Sequence, residues 1–198
     1  MKKHLLIILY LIKAYAINAQ GEIYQMGDKN DFCAAVLTDQ FKFYHAEQEY
    51  DNWCWAACIK MVLNYQGVKV EQKDIVKKAY GKIVNEPADC YIMTRAANGW
   101  DYNGMQIKAW QVSNVIAKDL IDALAYKYPV IIGLNMPGQE VGHAYVLTGI
   151  RFYYKNKREI PYKVILRDPW PPNKDKIEIE WEDFKSRINC IVHVTPKL

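Results

Sequence analysis

The chain has 198 residues, of which 51% are hydrophobic, 24% charged and 13% aromatic, and this composition excludes a disordered chain, a collagen and a miniprotein held by disulfides alone. Its length suits one domain with a well-buried core. The formal net charge is +4, but three lysines lie in the first 19 residues, which contain no acid. The remainder carries 23 basic and 22 acidic residues, so it gives no indication of nucleic-acid binding.

The first 19 residues have the three parts of a secretory signal peptide. Lys2 and Lys3 come first, and residues 5–12 form an apolar run that is well short of the ~20 residues of a membrane-spanning helix. Small residues follow, at Ala14, Ala16 and Ala19. We predict cleavage after Ala19, with Ala16 as the alternative, and a secreted or periplasmic protein without a stable membrane anchor. The competing interpretation is a buried N-terminal helix.

Helices are predicted to dominate the region after an irregular start. Residues 20–47 are predicted to be irregular with one short strand. From Trp53, apolar residues recur at steps of three and four, which predicts a helix. Asp51 or Asn52 is its expected N-cap, and Gly67 is expected to end it.

Two shorter helices and a long connection are predicted next. Residues 70–79 form the first of these helices, with Gly81 just beyond its end. Residues 82–106 are rich in Gly, Asn, Asp and Pro, which predicts a long surface connection. Residues 118–126 form the second helix, which Pro129 ends.

The second half is predicted to be mainly strands. Apolar runs between turn residues predict five of them, at 130–134, 143–153, 162–167, 177–179 and 190–194. A last helix is predicted at 181–187. Helices followed by mostly antiparallel strands predict an α+β fold in which a helical half packs on a sheet half. A cleft between two such halves is a natural place for an active site.

The strongest chemical signal surrounds Cys54. This residue lies in the first turn of the helix predicted from Trp53, where free N–H groups and the helix dipole favour an anion. A thiolate is the attacking species in cysteine chemistry. Gln48 lies six residues upstream, and its amide can fold back beside the sulfur. With the backbone N–H of Cys54, it would supply two hydrogen-bond donors to an oxyanion.

A thiolate nucleophile needs a proton donor for the leaving group, and His143 is the best candidate. It follows Gly142, which we expect to leave room for a substrate, and it begins a predicted strand. Asp168 ends the next long strand and could fix the imidazole tautomer if the two strands pair antiparallel. Trp170 could cover that contact. Each residue has a structural alternative, since a strand-end histidine, an Asp-Pro turn and the tryptophans beside Cys54 all occur without catalysis.

Together these elements resemble the papain-like cysteine peptidases. The resemblance rests on the Gln-to-Cys spacing, the Cys-Trp-Ala run, the Gly-His-Ala element and the Asp-x-Trp element. Residues 52–57, Asn-Trp-Cys-Trp-Ala-Ala, are most similar to compact secreted bacterial members, and the resemblance covers about residues 45–195. It implies a single papain-like domain over residues 20–198, with the active-site cleft between its two halves.

The resemblance also implies a role for each site residue. Gln48 would be the oxyanion residue, Cys54 the nucleophile and His143 the acid and base. Asp168, where many members have Asn, would orient the imidazole, and Trp170 would shield that contact.

The expected function is an exported thiol peptidase that acts on peptides or proteins as a monomer, without a cofactor, nucleic acid or metal. Two alternatives remain open. One is a transglutaminase or deamidase acting on glutamine side chains, because that class also orders Cys, His and Asp along the chain. The other is a silent binding module on a papain-like scaffold.

Five cysteines are present, and an odd number in an exported chain suggests one free thiol and four that pair. Three connectivities are open, and we favour Cys58–Cys90 and Cys33–Cys190. A Cys54–Cys58 bridge is disfavoured because side chains one turn apart on a helix rarely reach disulfide geometry. A metal site using Cys54, Cys58 and a histidine is a weaker alternative, because no second Cys/His pair of zinc type is present.

Overall fold

The computed structural model describes residues 23–26, 30–36, 41–171 and 173–197. The predicted signal peptide, residues 1–19, lies outside these ranges. The described α-helices are α1 (Cys54–Tyr65), α2 (Gln72–Tyr80), α3 (Cys90–Ala97), α4 (Ala117–Ala125) and α5 (Trp181–Arg187). The described strands are β1 (Ile23–Gln25), β2 (Asp31–Ala35), β3 (Asp101–Tyr102), β4 (Met105–Gln111), β5 (Val130–Leu134), β6 (His143–Lys155), β7 (Arg158–Arg167), β8 (Lys176–Glu180) and β9 (Ile188–Pro196). A short 3-10 helix spans Lys42–Tyr44.

Helix α1 confirms the helix predicted from the spacing of apolar residues. Most of its side chains are buried, because the helix lies between the sheet and the other helices. Its end is set by Gly67, whose positive φ of 93° lets the chain reverse. The predicted N-cap is wrong: Trp53 occupies that position, and the side chain of Asn52 instead bonds Asn85 at 3.0 Å. The first turn of α1 is therefore not capped by a side chain.

Helix α2 confirms the second predicted helix. Glu71 and Asp74 form a reciprocal capping box at its start, and Gly81 adopts a φ of 75° at its end. The first residue inside this helix, Gln72, is buried although it is polar.

The surface connection predicted for residues 82–106 is wrong, because α3 and two strands lie within it. The carboxylate of Asp89 accepts the N–H of Ile92 at 2.7 Å and caps α3. Only Met93, Ala96 and Ala97 are fully buried on this eight-residue helix. So short an apolar face, set among turn residues, gives little periodic signal.

The strands form one sheet in which every described pairing is antiparallel. The strand order is β3–β4–β9–β5–β6–β7–β8, and β2 with β1 continues beside the second half of β6. All five residues of β5 are buried, as expected for a central strand. The predicted strands of the second half and the helices α4 and α5 are confirmed. The irregular region predicted at residues 20–47 is wrong in part, because it contains two paired strands.

The two halves meet where α1 packs along β6. Because β6 and β7 run antiparallel, with Val146 opposite Arg167, the first residues of β6 lie beside the residues that follow β7. The α+β architecture is confirmed, and the junction of its halves gathers the start of α1, the start of β6 and the end of β7. Within the described ranges, none of the helices is both long and apolar enough to cross a membrane.

Candidate active site

A histidine–carboxylate pair lies where β6 begins and β7 ends. Nε2 of His143 donates to Oδ1 of Asp168 at 2.8 Å, across the antiparallel strand pair that the sequence predicted. The Asp168 side chain is 1% exposed and that of His143 is 14% exposed. Because Nε2 of His143 is hydrogen-bonded to Asp168, Nδ1 is the ring nitrogen available to a second partner.

Three donors satisfy the buried carboxylate of Asp168. Besides His143, the backbone N–H of Trp170 donates to Oδ1 at 2.9 Å, and Nδ2 of Asn173 donates to Oδ2 at 2.7 Å. Burial alone would raise the pKa of Asp168, but these hydrogen bonds outweigh burial and hold that pKa below its ordinary value. The carboxylate therefore carries a negative charge beside the imidazole at neutral pH. Asn173 was not among the predicted site residues, because an asparagine in a proline-rich turn carries no distinctive signal.

Cys54 is the first residue of α1 and faces His143. Burial alone would lower the pKa of the His143 imidazole, but hydrogen bonds to Asp168 and to Cys54, with their negative charges, raise it to about 9. The ring is therefore protonated at neutral pH, and it lies between the Cys54 sulfur and the Asp168 carboxylate. The pair has the arrangement that thiol acyl transfer requires.

Two other cysteines carry free thiols, Cys33 and Cys58. Burial raises the pKa of each, and that of Cys58 is raised further by the charges of Cys54 and Asp168. Both therefore stay neutral and unreactive at neutral pH. Of these three thiols only Cys54 lines the cavity described below. The prediction of one free cysteine and four paired ones is wrong, because three cysteines are free and only two form a disulfide.

The disulfide joins Cys90 to Cys190, so both predicted pairings, Cys58–Cys90 and Cys33–Cys190, are wrong. Cys58 lies on the buried face of α1, fully enclosed by the core. Cys33 lies in β2, beside the second half of β6, whereas Cys190 lies in β9 and is separated from β6 by β5. The observed bridge ties the start of α3 to β9, and thus the helical half to the sheet half.

Two aromatic rings enclose the imidazole of His143. Trp170, which was predicted to cover the His143–Asp168 contact, meets the imidazole edge to face with ring centroids 6.4 Å apart. Tyr145, two residues along β6 on the same side, meets the ring edge to face at 4.6 Å. Burial, with the charge of Asp168, raises the pKa of Tyr145, so its hydroxyl stays neutral. The alternation of side chains along a strand could have identified Tyr145 from the sequence.

Gln48 lies in the loop before α1 and is 7% exposed. Its Nε2 donates to the carbonyl oxygens of Tyr50 at 3.1 Å and Asp51 at 2.8 Å, while Oε1 has no partner. Its backbone N–H donates to the carbonyl of Pro169 at 2.9 Å, next to Asp168. The amide is thus folded back along the loop that leads to Cys54. Gln48 is not among the residues that line the cavity described below, and its predicted place beside the sulfur stays a prediction.

A cavity of about 800 Å³ opens in front of these groups. Cys54, His143 and Trp170 line it, together with the Cys90–Cys190 bridge. The lining combines apolar and acidic side chains, and among these described residues none is lysine or arginine. The cavity is large enough and open enough to admit a peptide segment.

Gly142 lines the cavity, but the reason for a glycine there differs from the predicted one. A Cβ at this position would lie 2.8 Å from the carbonyl oxygen of Leu134 and 2.8 Å from Nδ2 of Asn189. The space is therefore filled by β5 and β9, and the glycine permits this close packing. Among the residues that the structure describes, the active site included, no group of three or more His, Cys, Asp or Glu side chains is arranged to hold a metal ion.

Comparison with known proteins agrees with this geometry. The sequence pattern of the Peptidase_C39 like family matches residues 38–193, which is most of the chain and includes all the residues gathered at the cavity. The chain belongs to the Peptidase_C39 like family. It is a cysteine peptidase of papain-like type, as the resemblance in its sequence predicted. No curated protein matches the sequence closely enough to be counted as a relative.

Two solved structures share the fold of this Peptidase_C39 like protein. The peptidase domain of Streptococcus ComA, a bi-functional ABC transporter involved in a quorum sensing pathway, is 17% identical with a TM-score of 0.55, over 77% of this chain and 97% of that domain. Digestive procathepsin L 3 of the Tenebrio molitor larval midgut is 10% identical with a TM-score of 0.52, over 84% of this chain and 69% of that one. These likenesses confirm the predicted papain-like α+β fold.

Proposed function

We propose that this family member is an exported endopeptidase that cleaves peptide bonds through an acyl-enzyme on Cys54. His143 is the general acid and base, Asp168 orients it, and Gln48 with the backbone N–H of Cys54 binds the oxyanion. Trp170 keeps water from the His143–Asp168 hydrogen bond.

One observation carries the proposal. The only thiol of the three described free cysteines that faces the cavity is hydrogen-bonded to an imidazole, and that imidazole is held by a buried carboxylate at 2.8 Å. A histidine kept in place only by packing would not require a buried charge with three donors. A charge arranged in this way serves to keep a neighbouring imidazole protonated and oriented.

The reaction follows from these groups. The Cys54 thiolate attacks the peptide carbonyl carbon, a C–S bond forms, and the carbonyl oxygen becomes an oxyanion. As the tetrahedral intermediate collapses, His143 gives its proton to the amine nitrogen and the C–N bond breaks. A water molecule then gives a proton to His143 while its oxygen attacks the thioester. The C–S bond breaks, which releases the acid and restores the thiolate and the protonated imidazole.

Gln48 must turn one N–H toward the oxyanion for this role. Its –NH₂ group has two hydrogens, and both now bond carbonyl oxygens of the loop. The bond to Tyr50 is the longer at 3.1 Å, and we propose that this bond is exchanged for the oxyanion. In comparable sites, loss of one oxyanion donor lowers kcat by about 100- to 1,000-fold.

Export and subgroup are part of the same proposal. Residues 1–19 have the order of parts of a signal peptide, and a disulfide between Cys90 and Cys190 is favoured by an oxidising compartment. The Asn-Trp-Cys-Trp-Ala-Ala sequence of residues 52–57 supports a place among compact secreted bacterial enzymes. All the proposed catalytic groups come from one chain, which supports a monomer as the active unit.

The test begins with the chain from residue 20 and an epoxysuccinyl inhibitor of thiol peptidases, with the adduct mapped by mass spectrometry. We expect one adduct, on Cys54, that is lost in Cys54→Ala and strongly slowed in His143→Ala. Cys33→Ala is the matched control, because it removes a buried thiol and should label like the wild type. A mixture of peptides from a digested proteome, read by mass spectrometry for new termini, then shows cleavage and supplies a substrate sequence.

Other outcomes would reject the proposal in distinct ways. Release of ammonia from glutamine peptides without chain cleavage would establish a transglutaminase or deamidase. A wild type that takes up no inhibitor and treats peptides as Cys54→Ala does would establish a binding module.

A further inference from the structure

The backbone on either side of Gln48 is held by a buried side chain from a different helix. Gln72, the first residue of α2, is 1% exposed. Its Nε2 donates to the carbonyl of Glu47 at 2.7 Å, and its Oε1 accepts the N–H of Glu49 at 3.2 Å. The side-chain amide of Gln72 therefore forms one hydrogen bond with the residue before Gln48 and one with the residue after it, in the pattern by which the backbone of a neighbouring strand pairs in a sheet.

The opposite side of the same segment is also fixed. The N–H of Gln48 donates to the carbonyl of Pro169 at 2.9 Å, and Pro169 directly follows Asp168. The backbone of Gln48 thus lies between Gln72 on one side and the segment that carries Asp168 on the other. These contacts tie the Gln48 backbone to the segment that carries Asp168, the hydrogen-bond partner of His143.

The Gln72 amide is not used to cap helix α2. The start of this helix carries the capping box of Glu71 and Asp74, whereas the Gln72 amide makes its hydrogen bonds to the Gln48 segment. Burying an amide costs free energy unless its hydrogen bonds are replaced, and here the segment replaces them. The hydrogen bonds of Gln72 to Glu47 and Glu49 therefore explain why a polar side chain occupies this buried position.

We propose that Gln72 is a positioning residue that sets Gln48 in place to bind the oxyanion. This inference rests on the proposed role of Gln48. It predicts that Gln72 contributes to reactions in which a tetrahedral oxyanion forms and contributes nothing to reactions of the thiolate that form none.

Two reactions of Cys54 separate these cases. Hydrolysis of a quenched fluorescent peptide, built on the sequence cleaved fastest in the proteome-derived mixture, passes through an oxyanion. Alkylation by iodoacetamide does not, because the sulfur displaces iodide from a carbon without forming an oxyanion. The variant Gln72→Met keeps the length of the side chain and removes both hydrogen bonds.

We expect Gln72→Met to lower kcat for the peptide by about tenfold or more, within the range set by a lost oxyanion donor. KM and the second-order rate constant for alkylation should change less than about twofold, because neither depends on the oxyanion. Gln48→Ala should show the same pattern with a larger loss of kcat. Combining Gln72→Met with Gln48→Ala should add nothing to the loss from Gln48→Ala alone, since Gln72 acts through Gln48.

The matched control is Gln66→Met. Gln66 is also a buried glutamine, and its Nε2 donates to the carbonyl of Val194 at 2.6 Å. It follows the C-terminal end of α1, about 18 Å along the helix from Cys54. Gln66→Met should therefore leave kcat and alkylation unchanged.

Several results would overturn the inference. They are a fall in alkylation as large as the fall in kcat, an equal loss of kcat in Gln66→Met, or additive losses in the double variant. If Gln48→Ala itself keeps full kcat, the proposed oxyanion role fails instead. Should Gln72→Met not fold, Gln72→Glu keeps the acceptor for the Glu49 N–H and loses the donor to Glu47, and unchanged kcat in that variant would also overturn the inference.

Discussion

Replacing Asp168 by Asn should make the His143 imidazole much less basic. The substitution keeps the size of the side chain and an oxygen that can still accept from Nε2, so the local hydrogen bonds can be retained. Asn173 can rotate its own amide to offer an oxygen to the new –NH₂ group. What is lost is the negative charge next to the ring.

The size of the effect follows from the raised pKa. The difference between 6.5 and about 9 corresponds to about 3 kcal/mol in favour of the protonated ring, at about 1.4 kcal/mol per pKa unit. Burial by itself lowers this pKa, so Asp168 and Cys54 together supply more than this net amount. An opposite charge in contact with a histidine accounts for about one to three pKa units, so the pKa of His143 should fall by at least about one unit in Asp168→Asn.

The assay is a histidine NMR titration. The chain from residue 20, with ¹³C-labelled histidine, is titrated from pH 5 to pH 10.5, and the signal of His143 is identified as the one missing in His143→Gln. The wild-type midpoint should lie near 9. Because the folded pKa is raised, His143 stabilises the fold fully below pH 6.5 and this contribution is lost as the pH rises through about 9. The alkaline limb of kcat/KM should follow the same midpoint.

The matched control is Asp89→Asn. Asp89 lines the same cavity and caps α3, and asparagine caps a helix equally well, so this variant removes a nearby charge without touching the imidazole. Its midpoint should match that of the wild type. A wild-type midpoint near 6.5, or equal midpoints in the wild type and Asp168→Asn, would refute the argument that a buried carboxylate holds this ring protonated.

Three further expectations concern stability. Replacing both Cys90 and Cys190 by Ser should lower the free energy of unfolding in urea by about 2 to 5 kcal/mol, because the bridge closes a loop with a sequence separation of 100; a change below 1 kcal/mol would contradict this. Gly133→Ala should lower the free energy of unfolding by about 1 to 3 kcal/mol and lower Tm, because the added Cβ would lie 2.9 Å from the Cβ of Cys190 and closer still to Oδ1 of Asn189. An unchanged Tm would show that β9 can shift to accommodate the added methyl group. The pKa of Asp168 is lowered in the folded protein, so its ionised carboxylate stabilises the fold above its ordinary pKa, and this stabilisation is lost as the pH falls through the pKa of the folded state. The difference in unfolding free energy between wild type and Asp168→Asn should therefore shrink in acid. A difference that stays constant with pH would count against this expectation.

The sequence predicted the parts of the fold that depend on local periodicity. Helix α1 and strand β5 are long or strongly apolar, so their patterns were unambiguous. The meeting of Cys54, His143 and Asp168 followed from two local facts: a helix start and an antiparallel strand pair. The catalytic roles of these residues stay predictions.

Features that depend on tertiary packing could not be predicted. The Cys90–Cys190 bridge joins elements 100 residues apart, and nothing local indicates which chain segments will meet. Helix α3 has too few buried residues to show a period. Asn173 became visible as a partner of Asp168 only once the turn after β7 was in place.

The bridge between α3 and β9 has a practical consequence for handling the enzyme. Cys54, Cys90 and Cys190 line one cavity, so we expect a dithiol added to reduce an oxidised Cys54 to act close to the disulfide that joins the two halves. We therefore expect activity to pass through a maximum as the reductant concentration rises. Too little reductant leaves Cys54 oxidised, and too much reduces the Cys90–Cys190 disulfide.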